Sequence, residues 1–101
     1  MIEREFFLGF IKIHILYHAS KEPIFGVGIA KELSRHGYYL SPGTLYPTLH
    51  RLVKEGYLTQ DSKLVGGKVR KYYTITDSGL EVLKQARDKI RELVDEVLDR
   101  R

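Results

Sequence analysis

Apolar residues crowd the start of the chain. Phe6, Phe7, Phe10, Ile11, Ile13, Leu16 and Tyr17 recur at spacings that wrap most of a helical circumference. The pattern predicts a helix over residues 3–20 that faces its own core on one side and a second subunit on another. One broad core face is the simpler account of the same residues. Lys21-Glu22-Pro23 breaks the pattern, and Phe25-Gly26 opens a second helix over residues 27–36 with Ile29, Ala30 and Leu33 inward. Gly37 ends it, and Tyr38-Tyr39-Leu40 reads as a short extended link.

The next period is the one around which the chain is organised. Leu45, Leu49 and Leu52 mark one face of a helix over residues 41–55, with Tyr46 and Val53 at its edge. Ser41 is placed to cap the start with its hydroxyl, Pro42 suits the first helical position, and Gly56 suits the stop. Pro47 is expected to kink this helix or to mark its true start. The opposite face carries Gly43, Pro47, His50, Arg51 and Lys54, small at the tip and basic further on. Two helices joined by a somewhat long turn make a helix-turn-helix.

After Gly56 the period changes from helical to alternating. Residues 57–62 and 69–75 have strand character, and Gly66-Gly67 supplies the positive φ angles of a hairpin turn. Tyr73 and Ile75 share the core side, and Lys68, Arg70 and Tyr72 the other. Lys71 falls on the core side by phase and must project past the core edge to stay solvated. The final helix starts at Thr76, a suitable N-cap, with Asp77 at the positive end of the helix dipole. It is expected to run to about residue 99. Leu83, Ile90 and Val97 recur every seven residues, Ala86 and Leu93 fall between them, and Leu80 and Val94 widen the stripe. One small core does not need so long a stripe, so a second subunit is expected against it. The fold class is mainly α with a small β-hairpin: a winged helix-turn-helix over residues 1–76, then a C-terminal dimerisation helix over residues 77–101.

Composition narrows the function. The chain has 101 residues and no cysteine, which excludes a disulfide scaffold, a cysteine nucleophile and thiolate metal sites. Residues 1–40 carry a net charge of +1, residues 41–75 of +4 and residues 76–101 of −1. A basic middle between near-neutral flanks is the footprint of a phosphate-backbone binder. The apolar start is interrupted by Lys12 and His14, carries Glu3 and Glu5, and lacks a cleavage site. It is also too short for a membrane span, so a cytoplasmic protein without a membrane partner is expected.

Gly43-Thr44-Leu45-Tyr46-Pro47, Leu49, Arg51-Leu52 and Gly56, then Arg70-Lys71-Tyr72-Tyr73, Ile75-Thr76 and Gly79 together resemble the PadR family of winged-helix transcriptional regulators. The resemblance runs from about Phe6 to the end, and its motifs are specific as a set. Tyr57 stands where a leucine is usual. The resemblance implies a DNA-binding repressor that dimerises through its first and last helices. It also implies release by a small aromatic or cationic effector near the dimer interface.

Residue roles follow for double-stranded DNA. A two-fold dimer presents two helices to successive major grooves about 34 Å apart on a roughly palindromic operator. Thr44 and Thr48 are candidates for base or phosphate contacts and Pro47 for a thymine methyl. Arg51 and Lys54 suit phosphates. Ser41 and Tyr46 can add hydroxyl contacts, although Tyr46 also suits the core edge. In the wing, Lys68, Arg70 and Lys71 reach the backbone or the minor groove. The homodimer interface is assigned to Phe6, Phe10, Tyr17, Leu83, Ala86, Ile90, Leu93, Val94 and Val97. Phe6, Phe7, Phe10, Tyr17 and the face around Leu93 and Val97 offer an effector pocket, although such a stripe is more often plain core and apolar interface residues need no ligand to explain them.

Enzymatic readings are weaker. His14 and His18 stand four apart, a metal-ligand spacing, but no His-Glu-x-x-His pattern or third ligand is evident, so no metal and no cofactor are assigned. Gly26-x-Gly28 lacks the rest of a phosphate loop, and Ser41 has no placed base. The remaining alternatives are a winged helix used for protein contact and a non-specific architectural DNA-binding protein. RNA fits less well, because its deep, narrow groove does not admit such a helix.

Overall fold

The computed structural model describes residues 2–99. The order of elements is α1 (Ile2–Lys21), β1 (Ile24–Phe25), α2 (Gly26–Arg35), α3 (Pro42–Lys54), β2 (Leu58–Val65), β3 (Lys68–Ile75) and α4 (Asp77–Val94), whose last turn, Asp95–Asp99, widens to a π-helix. One core joins them. It takes Ile11, Ile15, Leu16 and Ala19 from α1, Ile29 and Leu33 from α2, and Leu45, Leu49 and Leu52 from α3. Ile24, Leu58, Tyr73 and Leu83 complete it.

Both long faces of α1 are apolar. One lies in the core; the other leaves Phe6, Phe7 and Tyr17 exposed, with the Phe6 and Phe10 rings edge to face at 5.0 Å. The excess of large side chains read from the sequence therefore stands on the surface.

Helices α2 and α3 end in the same way. Gly37 (φ 85°) and Gly56 (φ 84°) take the left-handed conformation. The following N–H groups, of Tyr38 and Tyr57, donate back to the Leu33 and Leu52 carbonyls at 3.0 and 2.9 Å. This closes orphan carbonyls at each helix end and turns the chain sharply. Relative to expectation, α2 begins one residue earlier and ends one earlier, because His36 serves as its C-cap.

Pro47 lies inside α3, which continues unbroken from Pro42 to Lys54. Ser41 has the extended backbone of an N-cap, but its hydroxyl caps no N–H. It lies 3.4 Å from the Thr44 hydroxyl instead. The cap at Thr76 does form: its hydroxyl accepts from the Gly79 N–H at 3.0 Å and donates to the Gly56 carbonyl at 2.6 Å. One residue thus starts α4 and ties it to the end of α3.

The sheet has the order β1-β3-β2 and is antiparallel throughout. The wing is longer than expected: β2 reaches Val65 and β3 begins at Lys68. Gly66 and Gly67 have φ of 56° and 80°, so a two-residue turn suffices and the ladder runs to the tip. The short strand β1 has no counterpart in the sequence reading. Its two residues pair with Tyr73 and Tyr72 and form the third strand.

Helix α4 is divided in its surroundings. Gly79 and Leu83 are buried, whereas Ile90, Leu93, Val94, Val97 and Leu98 are exposed. The molecule measures 57 × 28 × 22 Å. Leu83, expected at the dimer interface, is only 2% exposed and is closed within its own core. Among the described residues no helix is long and apolar enough to cross a membrane.

Candidate functional site

The outward face of α3 is exposed at Gly43, Pro47, His50, Arg51 and Lys54. These positions recur at helical spacing, so they form one stripe opposite Leu45, Leu49 and Leu52. Ser41 and Pro42 are exposed at its tip, and Thr44 is half-buried. Arg51 and Lys54 stand in the last turn, where the helix dipole favours cations.

Thr48 does not belong to this stripe. It is 8% exposed, and its hydroxyl donates to the Thr44 carbonyl at 2.8 Å. The expectation of a base or phosphate contact from Thr48 is therefore corrected. Its spacing of three from Leu45 and four from Leu52 already places it on the inward face.

Tyr46 serves two surfaces. It is 43% exposed, yet its ring covers Gly26 so closely that a Cβ there would clash with the phenol. Burial first, and the neighbouring Tyr46 phenol second, push the Tyr73 hydroxyl above its ordinary pKa. A groove of about 510 Å³ runs from Tyr46 to the wing, lined by Phe25, Lys68, Arg70 and Lys71 among others. All three cations are exposed. The Arg70 guanidinium stacks 4.3 Å from the Phe25 ring, which also meets Tyr72 edge to face at 5.6 Å. β1 thus holds the base of the wing and aims Arg70, a role that only the folded structure shows. Lys63, outside the expected set, lies over Tyr72 at 5.2 Å. The groove joins α3, through Tyr46, to the three wing cations, and clustered cations of this kind suit a polyanion.

A second groove, of about 560 Å³, lies between α1 and α4 and is mainly apolar. Phe10, Tyr17, Ile90, Leu93 and Val94 line it, with Leu83 at its floor. Ala86 is half-buried, and Phe6 and Val97 are 59% and 64% exposed. Apart from Leu83, the residues assigned to the dimer interface are thus at least partly accessible.

The same groove holds His14, His18 and His36. The sequence shows no third partner for the α1 pair; the turn that ends α2 brings His36 to it. The rings of His14 and His36 stack with centroids 4.5 Å apart. Burial, then the His36 and His18 imidazoles, hold the pKa of His14 below its ordinary value of 6.5.

Comparison with known proteins agrees with this geometry. The family described as "Transcriptional regulator PadR-like family" matches residues 15–85. The chain is 45% identical over 95 residues to "Transcriptional regulator Rv3488" of Mycobacterium tuberculosis, covering 94% of this chain and 89% of the relative. Its fold is similar to that of a PadR family transcriptional regulator from Eggerthella lenta (TM-score 0.81, 34% identity, 95% of this chain and 85% of the other). It is also similar to Bacillus subtilis PadR in complex with operator DNA (TM-score 0.64, 32% identity, 73% and 44%). With a family match over most of its length and a close relative over nearly all of it, the chain belongs to the PadR-like family of transcriptional regulators, which are not enzymes.

Proposed function

We propose that the protein represses transcription as a homodimer, reading a palindromic operator with α3 in the major groove and the wing on the flanking backbone. The observation that carries this reading is the exposed stripe of α3. It is small at Gly43 and basic at Arg51 and Lys54, and the neighbouring Tyr46 opens onto a groove lined by Lys68, Arg70 and Lys71 of the wing. Ser41, Thr44, Tyr46 and Pro47 complete the contacting set. The operator-bound Bacillus subtilis relative supports DNA as the partner.

The dimer forms between α1 of one protomer and α4 of the other. The exposed apolar residues Phe6, Tyr17, Ile90, Leu93 and Val97 support that contact. In this reading residues 1–76 bind DNA, and the distal part of residues 77–101 holds the partner. A small aromatic or cationic effector fits the groove between α1 and α4, where it would change the spacing of the two reading helices.

Selection from a pool of random duplexes at two salt concentrations tests the reading. A palindromic consensus with half-sites about 34 Å apart, bound more weakly as salt rises, is expected. Salt-sensitive binding without a consensus would replace the repressor by an architectural role, and no binding at low salt would remove DNA as the partner. Titration of aromatic cations against operator binding tests the effector; unchanged affinity across a broad panel counts against it.

A further inference from the structure

Three of the four histidines meet at one place, away from the reading face. His14 and His18 stand one turn apart on α1, and His36 is the C-cap of α2. One ligand-capable ring nitrogen from each lies within 4.8 Å of those from the other two. A carboxylate oxygen of Glu32 sits 3.9 Å from Nε2 of His18, and its other oxygen lies 3.6 Å from Arg35. None of the three belongs to the buried core.

We propose that His14, His18 and His36 form a binding site for a divalent transition-metal ion of the zinc and cobalt class, with the Glu32 carboxylate orienting His18 beside it. The donor set selects the ion. Imidazole nitrogens suit zinc, cobalt, nickel and copper, whereas magnesium and calcium need oxygen ligands. Two histidines four apart on a helix with a third from another segment is a recurrent zinc arrangement, and the outer carboxylate is its usual companion.

The nitrogens need to close only modestly. Tetrahedral bonds of about 2.0–2.1 Å put ligand atoms roughly 3.3 Å apart. His36 is exposed at a helix end, and a rotation of its ring from the stack on His14 would bring its nitrogen inward. Arg87 is the cation lining the same groove, and its exposed position on α4 lets it swing to solvent. A bound ion would pin α1, which carries the proposed subunit contact, to the turn that leads into α3. The site stands on the histidine geometry alone and does not depend on the DNA reading.

The test is titration of the full-length chain, free of any affinity tag, with zinc chloride by calorimetry and with cobalt(II) by visible absorption. One ion per chain is expected, with the absorption of a tetrahedral cobalt centre. His36→Ala, at an exposed position that should not disturb folding, and His14→Ala should each weaken binding at least tenfold. Glu32→Gln should weaken it by about tenfold or somewhat more. His50→Ala, on the far face of α3, should leave it unchanged, and magnesium should not compete. No heat or spectral change at a large excess of metal would overturn the site, as would binding that survives His36→Ala and His14→Ala intact.

Discussion

Helices α3 and α4 carry apolar stripes of nearly the same period and use them differently. On α3, Leu45, Leu49 and Leu52 are all closed inside one protomer, and the far side is left polar and basic. On α4 the stripe is divided: Leu83 lies in the core, whereas Ile90, Leu93 and Val97, in the same phase, are exposed. Periodicity tells which face of a helix is apolar. It does not tell what covers that face, because cover depends on how far the rest of the body reaches along the helix. Among the described residues the distal turns of α4 carry surface pairs such as Lys89–Glu92 at 3.4 Å and Arg91–Asp88 at 3.2 Å, which contribute little.

Substitutions at matched positions sharpen the contrast. The largest effect is expected from Leu49→Ala, which empties a fully buried site. It should cost about 2–5 kcal/mol in urea unfolding, whereas a loss below about 1 kcal/mol would mean that α3 is not sealed. Next comes Gly79→Ala, where a Cβ would meet the Tyr57 carbonyl and the Ile75 side chain. A cost of about 1–3 kcal/mol is expected there, against almost none for Gly9→Ala on α1, which has open space around it.

The distal stripe behaves in the opposite way. Leu93→Glu combined with Val97→Glu should weaken self-association at least tenfold, about 1.4 kcal/mol. Sedimentation velocity reads this directly, and a wild-type chain that sediments as a monomer would break the comparison. The smallest effects separate the two N-caps. Thr76→Ala should cost about 1 kcal/mol, because its hydroxyl holds the Gly79 N–H, and Ser41→Ala only a few tenths, because its hydroxyl holds none. Equal costs would contradict that assignment.

Much of this architecture is legible in the residues. The apolar periods place four helices, Gly66-Gly67 places the wing turn, and Thr76 places the start of α4. What escapes is set by contacts distant in sequence. β1 is two residues long and has no period of its own; it exists only because Tyr72 and Tyr73 pair with it. His36 joins His14 and His18 only through the fold of the turn after α2. The burial of Leu83 depends on where the body ends beneath α4. Thr48 is a different case, because its helical phase was readable and its polarity suggested the wrong face.

The central claim is that α3 and the wing meet a phosphate backbone. It is tested most directly by the salt dependence of affinity for a selected duplex, comparing the wild-type chain with the Arg51→Ala, Lys54→Ala double variant. Weaker binding by the variant is expected, with a log–log slope shallower by about 0.9 for each phosphate that is no longer neutralised and urea unfolding unchanged. An identical slope and affinity in the two proteins would contradict it.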